Sequence, residues 1–182
     1  SGHVLVLVDG VRISSASAGT TALQHIPVDE SAKIEIVQGN LSSLYGSDAV
    51  GGVIHIFTKK GGEVQRARVQ VGVGSHHSAQ GNASISGGRG DTRYYLGIGR
   101  QYTQGFSATS TPTQLDKDGY RATDINTNLQ TKLGERVSLG LAYLRSQSKT
   151  AYDNEWSINP QPVTEQVLSS VAADLKVDWN SA

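Results

Sequence analysis

Four groups of residues in this 182-residue chain have types and spacing that could do chemistry. Asp116-x-Asp118-Gly119 sets hard oxygens at alternate positions beside a glycine that lets the backbone turn, which suits one side of a calcium site. Ca²⁺ takes about six to eight oxygens, so a second loop has to complete such a site. As bare spacing the same run reads as a solvated turn. His76-His77 suggests a metal pair, but adjacent residues on a strand point to opposite faces, and the pair reads as exposed loop. Ser42, Ser43 and Ser47 have no G-x-S-x-G elbow around them and no matched base or acid. Gly51-Gly52 lacks the Lys-Ser/Thr of a P-loop and reads as a structural turn. No catalytic residue is expected, and the chain is not read as an enzyme.

The elements that hold these residues fall into two regions. Residues 1–62 read as a compact α+β unit. Val4–Val8 is a continuous apolar, β-branched run, the mark of a strand buried on both faces. Asp9-Gly10 then turns the chain into Val11, Arg12 and Ile13, because Asp-Gly between apolar runs favours the positive φ of a tight hairpin. Residues 13–21 are small and polar and read as a loop. Residues 33–37 and 53–58 read as strands, with a short helix between them capped by Asn40 and ended by Gly46.

Residues 63–182 alternate with period two over long stretches. Val69, Val71 and Val73 alternate with Arg68, Gln70 and Gly72; Tyr94, Leu96 and Ile98 with Arg93, Tyr95 and Gly97. Ile125, Thr127 and Leu129 alternate with Asn126, Asn128 and Gln130, and Leu139, Leu141 and Tyr143 follow, then Val171, Ala173 and Leu175. With a weaker segment at 78–88, these make about six antiparallel strands, each longer than the five or six residues usual in soluble sheets. Gly90-Asp91 and Gly134-Glu135 read as tight turns, whereas 105–119 and 150–166 read as long polar loops. Short turns on one side and long loops on the other are the layout of an outer-membrane barrel, with the long loops outside the cell. Tyr102, Tyr120, Tyr143 and Trp179 are placed near strand ends, as an interfacial girdle requires. The pattern alone also admits a soluble antiparallel sheet with one wet face, such as a binding module or adhesin.

Composition narrows the classes. The 16 basic and 16 acidic residues cancel, so no basic field draws the chain to nucleic acid. It has no cysteine, hence no disulfide framework or thiolate metal site. No run of about 18 apolar residues is present, which excludes a transmembrane helix but leaves a membrane barrel open.

The run I-E-I-V-Q-G-N-L-S-S-L-Y-G-S-D-A-V-G-G-V-I-H-I from Ile34 to Ile56 resembles the plug signature of TonB-dependent outer-membrane receptors. That signature has the form I-E-V-x-R-G-P-x-S-x-L-Y-G-x-x-A-x-G-G-V-I-N-I. V-L-V-D-G-V-R from Val6 to Arg12 resembles the same family's V-L-I-D-G-V. Gln38, Asn40 and His55 depart from the pattern, which leaves any family role of those three side chains without support. The resemblance implies a mainly β protein: the second half of a plug domain over 1–62, then the first six strands of an incomplete transmembrane β-barrel over 63–182. In the family the plug blocks a barrel of about 22 strands. It also implies a place in the bacterial outer membrane among its lipids, active uptake of a scarce nutrient, and a TonB complex that pulls on a motif expected before Ser1.

Within the family the likeness is to receptors for vitamin B12 (cobalamin), carried by 2–13, 45–52 and T-Q-L-D-K-D-G from Thr113 to Gly119. A siderophore or other nutrient is the alternative substrate. The likeness implies that the plug loop after the hairpin (Ser14, Ser15, Ala16, Ser17, Ala18 and Gly19) touches cobalamin. It also implies that Asp116 and Asp118, with Asp153 in the next long loop, bind calcium. No other cofactor is implied.

Overall fold

A computed structural model of the chain describes residues 4–13, 26–107, 117–152 and 162–179. The expected loop at 14–19, Asp116 and Asp153 lie outside them. Among the described residues, no helix is long and apolar enough to cross a membrane.

The first sheet orders its strands β2-β1-β4-β3, where β1 is Val4–Val8, β2 Val11–Arg12, β3 Ser31–Gln38 and β4 Gly52–Thr58. The Asp-Gly hairpin forms as its sequence requires, with φ of 47° at Asp9 and 84° at Gly10. Strand β1 lies between β2 and β4 and runs parallel to β4, from Val4 beside Gly52 to Val8 beside Ile56. Both its faces are covered. Leu5 and Leu7 pack with Ala49 and Val53 beneath the β3–β4 connection, which carries helix α1, Ser42–Tyr45. Val6 and Val8 pack on the other side with Ile13, Ile26 and Ile56.

Asn40 does not occupy the cap position expected for α1, which falls to Leu41. Its Oδ1 accepts from the Ser42 N–H at 3.0 Å and the Ser42 hydroxyl at 2.6 Å. It therefore performs the capping chemistry from one residue further out, as an Asx-type turn.

The second sheet is an up-and-down meander in chain order. It comprises β5 Arg66–Gly74, β6 Ser78–Arg89, β7 Thr92–Thr103, β8 Tyr120–Lys132, β9 Val137–Ala151 and β10 Val163–Val177. The ladders from β6 to β10 run without a register shift. The sheet is open, with β5 and β10 at its edges. Twelve residues, the length of β6 and β7, at about 3.3 Å each make about 40 Å; tilted by about 40°, they span about 30 Å, the thickness of a bilayer core.

Two further expectations need correction. The loop at 150–166 is shorter, because 163–166 already pair with 148–151. Tyr143 sits in the middle of β9 rather than at its end, and alternation puts Tyr120 on the inner face with Asn126. His76-His77 forms the exposed β5–β6 turn, with φ of 55° and 53°, as the exposed-loop reading expects, although the strand argument used for it does not apply to a turn.

The polarity of the second sheet is inverted relative to a soluble one. Its buried face carries Asn126, Asn128, Ser146, Ser148 and Ser170, with Asn126 at 0% exposure. Its open face carries Val69, Val71, Val73, Leu96, Ile98, Leu141, Val171 and Leu175, with Val73 at 91%.

Candidate functional site

The inner face of the second sheet receives the first sheet. Leu144 of β9 joins the cluster of Val6, Val8, Ile13, Ile26 and Ile56, and Leu168 of β10 packs against it. The more specific contact comes from a 3-10 turn, Val28–Glu30, just before β3. Glu30 is 3% exposed. Its carboxylate accepts the Tyr95 hydroxyl at 2.9 Å. Its carbonyl accepts the Lys59 N–H at 3.0 Å and Asn126 Nδ2 at 3.4 Å. Beside it Asn82 Nδ2 donates to Asp29 Oδ2 at 3.0 Å, and Lys59 Nζ to the Asp29 carbonyl.

Gly97 makes room for this seat. A Cβ there would lie 2.5 Å from Glu30 Oε2 and 2.8 Å from the Tyr95 hydroxyl, closer than atoms can pack. The bare backbone of β7 thus forms a slot for an acid delivered by the other sheet. Burying a carboxylate is costly unless it is hydrogen-bonded; Tyr95 supplies that bond from the wall, and Asn126 satisfies the Glu30 backbone carbonyl. Elsewhere on that inner face, Oδ1 of Asp124, Asn126 and Asn128 is buried without a hydrogen-bond partner among the described residues. Such a surface suits a wet lumen and would be expensive in a soluble core.

The small sheet has its own ties. Asp9 accepts the Thr58 N–H at 3.1 Å and its hydroxyl at 2.6 Å, and Gly10 N–H donates to His55 Nε2 at 3.0 Å. The His55 and Phe57 rings stack with centroids 4.0 Å apart. Arg12 pairs with Asp48. The hairpin motif and the long signature are thereby joined through side chains, and His55 acts as a local structural acceptor.

Of the expected calcium ligands, only Asp118 is described. It is partly buried at the base of the 104–119 connection, where its N–H reaches the Phe106 carbonyl at 3.3 Å. Gly119 O accepts the Ala151 N–H at 2.9 Å, so the bases of the two long loops are side by side, two residues before Asp153. Among the described residues, no three His, Cys, Asp or Glu side chains gather into a metal cluster. The seat of Glu30 escapes sequence reasoning, because nothing in Pro27-Val28-Asp29-Glu30 distinguishes it from a solvated acidic turn.

A small mixed sheet seated on the polar inner face of an open up-and-down sheet, whose outer face is apolar, is the arrangement of part of a plugged membrane barrel. Residues 1–53 match the TonB-dependent Receptor Plug Domain. The chain is 32% identical over 174 residues to the vitamin B12 transporter BtuB of Photobacterium profundum, across 95% of this chain and 28% of that protein. It superposes on Pseudomonas aeruginosa FpvA bound to heterologous pyoverdine with a TM-score of 0.78 at 16% identity, covering 96% of this chain and 25% of that one. The siderophore receptor PirA of Acinetobacter baumannii gives 0.78 at 20% identity, covering 98% and 30%. At these identities the two superpositions speak for the fold alone. The chain belongs to the TonB-dependent receptor family, whose place is the outer membrane. It spans about a quarter of the length of the relatives it matches.

Proposed function

We propose that this chain is the plug-side portion, and the adjoining wall, of a receptor that takes vitamin B12 across the outer membrane. The identity to a vitamin B12 transporter over 95% of the chain carries the reading. Residues 1–62 are the plug part and 63–182 the wall, with the long connections at 104–119 and 152–162 facing outward from the cell. Residues 14–19 touch cobalamin, and TonB supplies the force for release. The whole acts as a receptor and transporter rather than a catalyst. A siderophore is the second reading, since PirA, which shares the fold, is a siderophore receptor.

Calcium belongs to the same proposal. Asp116, Asp118 and Asp153 would bring three negative charges together at the outer mouth, and a Ca²⁺ offsets their repulsion and orders both loops. Pre-ordering the mouth tightens cobalamin binding, and by linkage cobalamin tightens calcium by the same factor. The test is cobalamin affinity of the full-length receptor with calcium and with chelator, for wild type and for Asp116→Asn with Asp118→Asn. Weaker binding in chelator and in the variant is expected. Affinity indifferent to both removes the calcium site, and absence of cobalamin binding moves the substrate to the siderophore reading.

A further inference from the structure

The chain leaves the first sheet at Thr58 and enters the second at Arg66, so residues 59–65 are the covalent link between the two. Seven residues fully extended reach about 25 Å, so a slack link would let the first sheet leave its seat by most of the depth of a bilayer core.

The link is pinned at three successive points instead. At its start the Lys59 N–H donates to the Glu30 carbonyl at 3.0 Å, and Lys59 Nζ to the Asp29 carbonyl. It is thereby tied to the turn whose acid fills the Gly97 slot. It then crosses the inner face of β6 and lies on β7. A Cβ at Gly61 would stand 2.7 Å from the Tyr94 carbonyl carbon, and closer still to the Tyr94 oxygen and nitrogen. A Cβ at Gly88 of β6 would stand 2.9 Å from the Gly62 carbonyl oxygen and 3.2 Å from Glu63 Cα. Glu63 finally meets Arg93, the ladder partner of Gly88, at 2.8 Å. Gly88 and Arg93 share the inner face with Asn126 and Asn128, because Arg93 pairs with Gln130.

In both glycine contacts backbone lies on backbone, so the neighbour cannot swing aside as the end of a side chain could. Neither Gly61 nor Gly88 is at positive φ, so these glycines serve close approach rather than a turn. The Glu63–Arg93 pair is exposed and contributes little alone; it marks where the link comes off the wall. All these contacts, with Tyr95 and Gly97 around Glu30 and Asn82 at Asp29, fall on β6 and β7.

We propose that residues 59–63 are a clamp that fixes the end of the plug sheet to the β6–β7 hairpin, with Gly61 and Gly88 as its positioning residues. A pinned link keeps Glu30 at its slot at high effective concentration, whereas a slack one dilutes it. The β6–β7 side is then the fixed point about which the plug shifts when substrate passes. The clamp rests on the division into plug and wall given above and not on the choice of substrate.

The test compares alanine variants of the full-length receptor in nanodiscs. Gly61→Ala and Gly88→Ala each set a methyl against backbone, so the link has to lift. Gly62→Ala makes the same chemical change on the next residue, where nothing lies within 4 Å of the added Cβ. Spin labels on Lys60→Cys and Glu135→Cys, both exposed, report the position of the link through their distance distribution. Wild type and Gly62→Ala should give one narrow distribution, and Gly61→Ala and Gly88→Ala a broad one. In unlabelled receptor the Lys59 amide should exchange about tenfold faster in the latter two. Both variants lift the same link, so combining them should add little to either alone. Gly61→Ala indistinguishable from Gly62→Ala overturns the clamp, and additive effects overturn it too, since they mean two unrelated contacts. If Gly61→Ala assembles poorly, Gly88→Ala against Gly62→Ala decides by the same readings. Cobalamin binding on the same samples reports the substrate reading separately, since distances and exchange are read without ligand.

Discussion

The plug sheet and the wall sheet are both built from alternating strands, yet they bury opposite faces. In the plug, Val6, Val8, Val53 and Ile56 are inside, as in any soluble domain. In the wall, Asn126, Asn128, Ser146 and Ser148 are inside, while Val69, Val71 and Val73 are open. The hydrophobic effect acts on apolar surface in contact with water. A wall bathed in lipid feels that force only toward its lumen side, so its apolar residues go where the lipid is. The two sheets can then meet only through a mixed seam: an apolar patch around Leu144 and a polar slot around Glu30.

The largest expected effect comes from reversing the wall's polarity. Leu141 lies on the outward face beside Leu129 and Ala173, near mid-depth of the apolar band. Leu141→Arg should cost about 2–4 kcal/mol of barrel stability, as lipid-facing Arg does at the bilayer midplane. Gln130→Arg, on the lumen face of β8, should cost far less. Folding of both variants of the full-length receptor into liposomes under urea titration measures the difference. Equal costs would mean that the two faces are not in different solvents.

The seam comes next. Tyr95→Phe removes the hydroxyl that reaches the buried Glu30 carboxylate and should cost about 1–3 kcal/mol of plug docking, the usual penalty for leaving a buried group short of a partner. Glu30→Gln keeps the shape and removes the charge, so the double variant should lose less than the sum of the single ones. Hydrogen exchange of β3 and β4 in the full-length receptor reads the docking. Additive losses would mean that Tyr95 and Glu30 are neighbours without coupling.

The sequence reveals the two sheets unequally, and for physical reasons. The Asp-Gly hairpin and the signature from Ile34 to Ile56 are local, and both fold as their residues dictate. The wall's strands show where their outward residues are apolar, which is why residues 171–177 are plain as strand and 163–166 are not. Above the apolar band the outward positions become Arg145, Gln147, Lys149 and Glu165, so the alternation ends before the ladder does. Tyr143 is misplaced to a strand end for the same reason. The seat of Glu30 is illegible because its partner Tyr95 lies 65 residues away, and only the closed seam turns a polar acid into a buried one.

The smallest effect belongs to the exposed side of the plug, and it sharpens the contrast with the seam. Glu35 on β3 pairs with Lys33 at the surface. The hydrogen bond from Lys33 and then its charge hold the Glu35 carboxyl below the usual carboxylate range, with a smaller contribution from His55. A depressed carboxyl stabilises the fold above its unfolded-state pKa, and that contribution is lost as pH falls through the folded-state value. Lys33→Met keeps much of the stem that lies beside Phe57, where Lys33 Nζ is 5.9 Å from the ring centroid, and deletes the charge. At neutral pH and low salt the variant should be slightly less stable than wild type, because exposed pairs are screened by water and ions. The gap should close on acidification, when Glu35 is protonated in both proteins, and also when salt is added. Plug unfolding in the full-length receptor, followed at neutral and acid pH with and without salt, measures it. A loss as large as that of Tyr95→Phe, or one indifferent to pH, would show that β3 is covered by something that makes Lys33 and Glu35 part of a seam.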